Sequence, residues 1–129
     1  MQKEITLLVV DDDPEQINTL IMCLNAYEKI TQYFEATNGK QALEIIKHQD
    51  NIDMVISDIQ MPELTGIELL KEIKKIRPLL PVLLVTGNCA YTQKFIKEQG
   101  GFDLLYKPYS LHQLVQLIKS ALYRLPCNY

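Results

Sequence analysis

The chain is first narrowed by what it lacks. None of its apolar runs approaches the ~20 residues of a membrane span, and the opening Met1-Gln2-Lys3-Glu4 holds no apolar signal core. A cytoplasmic chain with no membrane insertion is therefore expected. There is also no basic block. The 13 Lys and Arg stand against 16 Asp and Glu, for a net charge of -3, whereas direct nucleic-acid binding needs clustered cations. Cys23, Cys89 and Cys127 form no CxxC pair and no zinc spacing, which suits reduced thiols in the cytosol. No Gly-x-x-x-x-Gly-Lys-Ser/Thr phosphate loop occurs either. The remainder is ordinary: 129 residues, 47% hydrophobic and 22% charged, fit one domain over 1–129 around one core.

Within that domain the apolar runs are short and sharply ended. Leu7-Leu8-Val9-Val10 runs straight into Asp11-Asp12-Asp13-Pro14, and a strand so short and so apolar is expected to be covered on both faces of a parallel sheet. Ile17, Leu20, Ile21 and Leu24 then form one helical stripe, with Asp13 as N-cap, Pro14 at N1 and Gln16 at N3 as in a capping box. Thr31 to Ala36 reads as an edge-type strand, and Ala42, Leu43, Ile45 and Ile46 mark a second helix after the turn Thr37-Asn38-Gly39. Met54-Val55-Ile56 is a buried strand ending at Ser57-Asp58. After the loop Ile59 to Gly66, a third helix carries Ile67, Leu70, Ile73 and Lys74 on its stripe, with Ile76 beyond, and is stopped by Pro78. Val82-Leu83-Leu84-Val85 ends in Thr86-Gly87-Asn88. Tyr91, Phe95 and Ile96 mark a fourth helix with the thinnest stripe, closed by Gly100-Gly101. Phe102 to Tyr106 ends in Lys107-Pro108, and Ser110 to Gln113 is a capping box opening a helix with Leu114, Leu117, Ile118, Ala121 and Leu122.

Five strands alternating with five helices imply right-handed crossovers and an α/β, doubly wound parallel sheet. The order 2-1-3-4-5 keeps the three most apolar strands inside. Ligands of such sheets bind beyond the carboxyl ends of the strands. Those ends carry Asp11 and Asp12, then Asp58, Thr86 and Lys107. At ~4 Å and an effective dielectric near 20, each like-charge pair costs roughly 4 kcal/mol, so a cation belongs beside the carboxylates. Clustered carboxylate oxygens suit a hard divalent ion such as Mg²⁺. Together with Lys107 it would make the pocket formally neutral and able to accept a phosphoryl group, and Gly87 leaves room for one. Taken singly, Asp13 is explained as a helix cap, Asp58 as a turn residue, Thr86 as a β-branched filler and Lys107 as a solvated lysine. Their coincidence at the strand ends favours a shared site.

The segments Val10-Asp11-Asp12-Asp13-Pro14, Ser57-Asp58-Ile59-Gln60-Met61-Pro62-Glu63-Leu64-Thr65-Gly66, Val85-Thr86-Gly87 and Tyr106-Lys107-Pro108 together resemble those of response-regulator receiver domains in two-component signalling, over essentially the whole chain. The resemblance implies a flavodoxin-like (βα)5 sandwich that accepts a phosphoryl group from a histidine kinase or a histidine phosphotransfer domain and is not a turnover enzyme. It implies Asp58 as phospho-acceptor and Asp11, Asp12, Asp58 and the backbone carbonyl of Gln60 as Mg²⁺ ligands. It further implies Thr86 as the switch hydroxyl, Lys107 as the phosphoryl-pairing lysine, and signalling to an output domain or partner through the face of the fourth helix, fifth strand and fifth helix; the Lys107-Pro108 bond is often cis in similar proteins, and the sequence leaves its isomer open. Leu104-Leu105-Tyr106-Lys107-Pro108-Tyr109-Ser110-Leu111 also resembles the terminal receivers of hybrid sensor kinases. One departure stands out: similar domains carry an aromatic switch residue three positions before the lysine, where this chain has Leu104. Strand alternation should turn Tyr106 to the side opposite Leu105 and Lys107.

Rival classes fit less well. A flavin mononucleotide carrier needs a neutral, glycine- and hydroxyl-rich loop after the first strand, the opposite of Asp11-Asp12-Asp13-Pro14. An aspartyl-phosphate hydrolase uses a second Asp two residues after its nucleophile as general acid, where this chain has the amide Gln60. A module without chemistry has no reason to tolerate the carboxylate repulsion.

Overall fold

The structure, a computed structural model, describes residues 4–122; Met1 to Lys3 and Cys127 lie outside the described residues. Strands and helices alternate as β1 (Ile5–Val10), α1 (Pro14–Leu24), β2 (Ile30–Ala36), α2 (Gly39–His48), β3 (Met54–Asp58), α3 (Gly66–Ile76), β4 (Val82–Thr86), α4 (Gln93–Glu98), β5 (Asp103–Tyr106) and α5 (Leu111–Leu122). The sheet order is β2-β1-β3-β4-β5, parallel throughout, as the alternation of elements predicts. No helix among the described residues is long and apolar enough to cross a membrane.

All six residues of β1 are buried, and its alternation divides them between two cores. Ile5, Leu7 and Val9 pack with Ile17, Leu24, Leu114 and Ile118 of α1 and α5. Leu8 and Val10 pack with Ala42, Ile46, Leu70, Ile73 and Ile96 of α2, α3 and α4. β2 keeps only Ile30 and Ala36 buried, in agreement with its reading as an edge strand. In register, Val10 lies beside Ser57, Asp58 beside Val85 and Thr86 beside Tyr106. The polar strand ends therefore share one rim of the sheet.

Two helices differ from the sequence reading. On α3 the buried residues are Gly66, Leu69, Leu70 and Ile73, while Ile76 is 40% exposed and Ile67 is only half-buried. Lys74 lies on the expected stripe because its ammonium bonds the carbonyls of Pro78 (3.1 Å) and Leu80 (2.6 Å), closing the turn into β4 while its stem stays against the protein. Burial lowers the Lys74 pKa. α4 starts at Gln93, capped by Thr92, so Tyr91 precedes the helix, and Ile96 is its only buried residue. The thin stripe seen in the sequence corresponds to six helical residues, too few for independent helical stability.

The start of α3 is pressed against the end of β3. The Gly66 N–H bonds the Ile59 carbonyl at 2.8 Å, and a Cβ at Gly66 would collide with the backbone oxygen of Asp58 and lie 2.8 Å from the Ile59 Cα. Neither neighbour is a flexible side chain. Gly87, at the end of β4, has nothing within 4 Å of such a Cβ. Gly66→Ala is thus expected to cost about 2–3 kcal/mol in urea unfolding, and Gly87→Ala less than about 0.5 kcal/mol. Equal losses at the two positions would contradict this packing.

Candidate functional site

Asp11 immediately follows β1, and its N–H still bonds the Ala36 carbonyl at 3.1 Å, extending the ladder. Its side chain is buried, and its Oδ1 accepts from the Asp13 N–H at 2.9 Å. Asp58 is the last residue of β3, with its own carbonyl accepting from the Ser57 hydroxyl at 2.9 Å. Asp11, Asp12 and Asp58 each place a carboxylate oxygen within 4.8 Å of the others. Asp11 is buried, Asp58 half-buried and Asp12 exposed.

Lys107 reaches this cluster from the end of β5. Its backbone N–H bonds the Thr86 carbonyl at 2.8 Å, the Lys107–Pro108 bond is cis, and its ammonium lies 3.6 Å from Asp58 Oδ2. The same ammonium donates to Gln16 Oε1 at 3.1 Å. Thr86 is fully buried, and its Oγ1 accepts from the Asn88 N–H at 3.0 Å. Gln60, two residues beyond Asp58, is exposed.

Burial raises the Asp11 pKa. The Asp13 N–H opposes this, Asp58 adds to it, Lys107 offsets part, and Asp12 adds again. The ammonium thus leaves part of the repulsion in place. The donor set is all carboxylate oxygen, without His or Cys, and fits a hard divalent cation rather than zinc or copper. The residues present are suited to hold such an ion.

A cavity of about 30 Å³, lined by Asp11, Gln16, Asp58, Lys107 and Tyr109 among others, lies at the pocket. Beside it a groove of about 500 Å³ runs between α1 and the β5–α5 turn, lined in part by Gln16, Leu20, Cys23, Lys107, Tyr109 and Leu111.

The structure thus brings together Asp11, Asp12, Asp58 and Lys107, with Thr86 at the adjacent strand end. Two features depart from the sequence reading or go beyond it. Asp13 caps α1 through the Glu15 N–H at 3.0 Å, but the capping box is not formed: the Asp13 N–H is taken by Asp11, and Gln16 turns to Lys107 instead. Tyr109 has no signal in the sequence, because an aromatic after Pro108 carries no motif of its own. Burial raises its phenol pKa, and nearby Cys23, Asp11 and Asp58 raise it further. Leu104 is buried in the core under α2, α3 and α4, and Leu105 in the opposite one. Tyr106 projects to the Leu104 side, as alternation predicts, and its hydroxyl donates to the Tyr91 carbonyl at 2.7 Å.

Comparison with known proteins agrees with this geometry. The family model described as "Response regulator receiver domain" matches residues 7–119. The transcriptional regulatory protein GlrR of Escherichia coli is 34% identical over 119 residues, which are 90% of this chain and 26% of that protein. The transcriptional regulatory protein ZraR of Klebsiella oxytoca is 36% identical over 121 residues, 93% of this chain and 27% of that protein. This chain therefore spans about a quarter of these relatives' length. Among solved structures, a response regulator receiver domain protein from Clostridium thermocellum superposes with a TM-score of 0.85 at 29% identity, covering 93% of this chain and 95% of that one. With five parallel strands in the order 2-1-3-4-5 and acidic strand ends on one rim, the chain belongs to the response-regulator receiver domains of two-component systems.

Proposed function

We propose that this chain, as one receiver domain over residues 1–129, accepts a phosphoryl group from a phosphohistidine onto Asp58 and changes conformation to signal. The observation that carries this reading is the grouping of Asp58 with Asp11, Asp12 and the Lys107 ammonium. One Asp58 oxygen attacks phosphorus in line. The new O–P bond forms as the N–P bond to imidazole breaks, and the imidazole leaves with the bonding pair. Lys107 pairs with the phosphoryl oxygens as charge spreads over them. Mg²⁺ bound to Asp11, Asp12, Asp58 and the Gln60 carbonyl would neutralise carboxylate charge and act as a Lewis acid towards a phosphoryl oxygen. Gln60 offers an amide where a hydrolase would need an acid, so the domain is a signalling element rather than a turnover enzyme.

The acyl phosphate presents acceptor oxygens where a carboxylate stood. Thr86 exchanges its acceptor role with the Asn88 N–H for donation to one of them, which releases the loop between β4 and α4. The α4–β5–α5 face then engages an output domain or partner. The donor is a histidine kinase or histidine phosphotransfer domain, and the setting is the cytoplasm, where the exposed thiols of Cys23 and Cys89 remain reduced. The curated relatives quoted are transcriptional regulators, which favours a receiver serving a longer regulator over the terminal receiver of a hybrid kinase.

Three tests follow from this chemistry. A small phosphodonor with Mg²⁺ is expected to label the wild type, and Asp58→Asn should lower incorporation at least ~100-fold, since the nucleophile is gone. Equal labelling would exclude Asp58 as acceptor. A phosphoryl mimic should shift amide resonances of α4 and β5 in the wild type but not in Thr86→Ala; unmoved wild-type resonances would exclude the switch.

The third test concerns Asp11, whose raised folded-state pKa makes the folded chain bind a proton more readily than the unfolded one. Its contribution to stability therefore falls as pH rises from the ordinary carboxylate range through the raised value, and stays lowered at neutral pH. Asn can still accept from the Asp13 N–H without the charge. In Mg²⁺-free buffer at pH 7, Asp11→Asn should raise Tm by roughly 3–6 °C, about 1 kcal/mol for a domain of this size. The gain should vanish near pH 3, and added Mg²⁺ should stabilise the wild type more than the variant. A lower Tm for the variant at pH 7 would contradict the electrostatic account.

A further inference from the structure

Gln16 occupies the N3 position of α1, where a glutamine ordinarily turns back to the N-cap backbone. Here that partner is taken, because the Asp13 N–H bonds Asp11 Oδ1 at 2.9 Å. Asp13 still caps the helix through Glu15, so Gln16 is not needed for the cap. Its side chain instead extends over the pocket and accepts from Lys107, 91 residues away, at 3.1 Å. An ammonium only donates, so the amide must present its oxygen.

This contact bears on where the ammonium sits. A direct ammonium–carboxylate hydrogen bond spans ~2.7–2.9 Å, whereas Lys107 lies 3.6 Å from Asp58 Oδ2. The neutral amide oxygen is therefore the nearer partner. It holds the charge beside Asp58 without capping the nucleophilic oxygen, and it cancels none of the positive charge that phosphoryl oxygens would meet. Gln16 also lines both the small cavity at Asp58 and the neighbouring groove, so its amide stands between the acidic pocket and the α1 surface.

We propose that Gln16 is a positioning residue for phosphoryl transfer. Its amide oxygen, freed from the helix cap by the Asp11–Asp13 bond, holds the Lys107 ammonium in reserve next to Asp58 until phosphoryl oxygens replace it as the partner. This rests on the receiver reading above and adds a residue through which Lys107 is set. Gln16 itself touches no reacting atom.

The test uses the full chain with Gln16→Met, which keeps length but removes the acceptor, and Gln16→Ala as a second variant at this exposed helical position. In Mg²⁺-free protein, the Lys107 side-chain NMR resonances should move in both variants while those of distant lysines such as Lys75 stay in place. With acetyl phosphate and saturating Mg²⁺, Asp58 labelling should slow roughly 3–10-fold, the loss of one hydrogen bond. In a Lys107→Met background the same Gln16 substitutions should change the rate less than about twofold, because the residue acts through Lys107. An unmoved Lys107 resonance, or an equal loss in both backgrounds, would overturn the positioning role. A wild type that labels normally while the Gln16 variants match it overturns this inference alone. A wild type that never labels overturns the receiver chemistry and the role in transfer together, and the resonance measurement still reads whether the amide holds the ammonium.

Discussion

Three carboxylates within 4.8 Å of one another at the rim of a parallel sheet are the constraint to which the structure around them answers. At an effective dielectric near 20, a like-charge pair at such distance costs roughly 3–4 kcal/mol, comparable with the gain from burying one or two large aliphatic side chains at ~1.5–3 kcal/mol each. The two cores provide that many times over: Leu7, Leu8, Leu70 and Ile73 are among the side chains fully removed from water. Stability is thus generated away from the rim and spent there. Within the rim, one N–H on Asp11 and one ammonium near Asp58 relieve part of the repulsion, while burial first, and the neighbouring carboxylates after it, keep the Asp11 pKa raised.

Parallel pairing is what makes the rim possible. Every strand points the same way, so each polar strand end emerges beside the next, with Asp58 against Val85 and Thr86 against Tyr106. Backbone bonds carry the alignment beyond the strands. The Asp11 N–H reaches Ala36, the Ile59 N–H reaches Val85, and the Lys107 N–H reaches Thr86. Gly66 belongs to the same arrangement, since only a residue without Cβ lets α3 begin against the Asp58 carbonyl.

Most of this was legible in the chain because the signals were local and strong. Apolar runs of strand length ending in Asp11, Asp58, Thr86 and Lys107 fixed both the sheet and the residues at its rim, and the alternation of β5 placed Tyr106 on the Leu104 side. The misses have a common physical origin. Leu69, rather than Ile76, fills the α3 interface, because the buried face of a helix is chosen by its neighbours and two adjacent stripes were available in Gly66–Ile76. The helical pattern around Tyr91 and Phe95 could not show that Thr92 would be the cap. Sequence spacing sees only near partners and so points Gln16 to a local cap, while its actual partner is 91 residues away.

For the proposed switch, Leu104, a buried aliphatic, poses the sharper question of what would connect Thr86 to the surface. The contacts available run through the loop between β4 and α4. Thr86 holds Asn88 by its hydroxyl, Asn88 holds the Ala90 N–H by its carboxamide at 2.9 Å and the Tyr91 N–H by its carbonyl at 3.3 Å, and the Tyr91 carbonyl is held by the Tyr106 hydroxyl. The Gln93 side-chain amide adds a bond to the Leu104 carbonyl at 3.2 Å. These are single hydrogen bonds, worth about 0.5–1.5 kcal/mol each, and they hold a helix with one buried residue. An element tied so lightly is biased by a change of one or two such bonds, and Thr86, fully buried with its hydroxyl already committed to the loop, makes one of them. In the proposed switch, the link would therefore run through hydrogen bonds along the loop, with Tyr106 at its outer end rather than a ring packed at position 104.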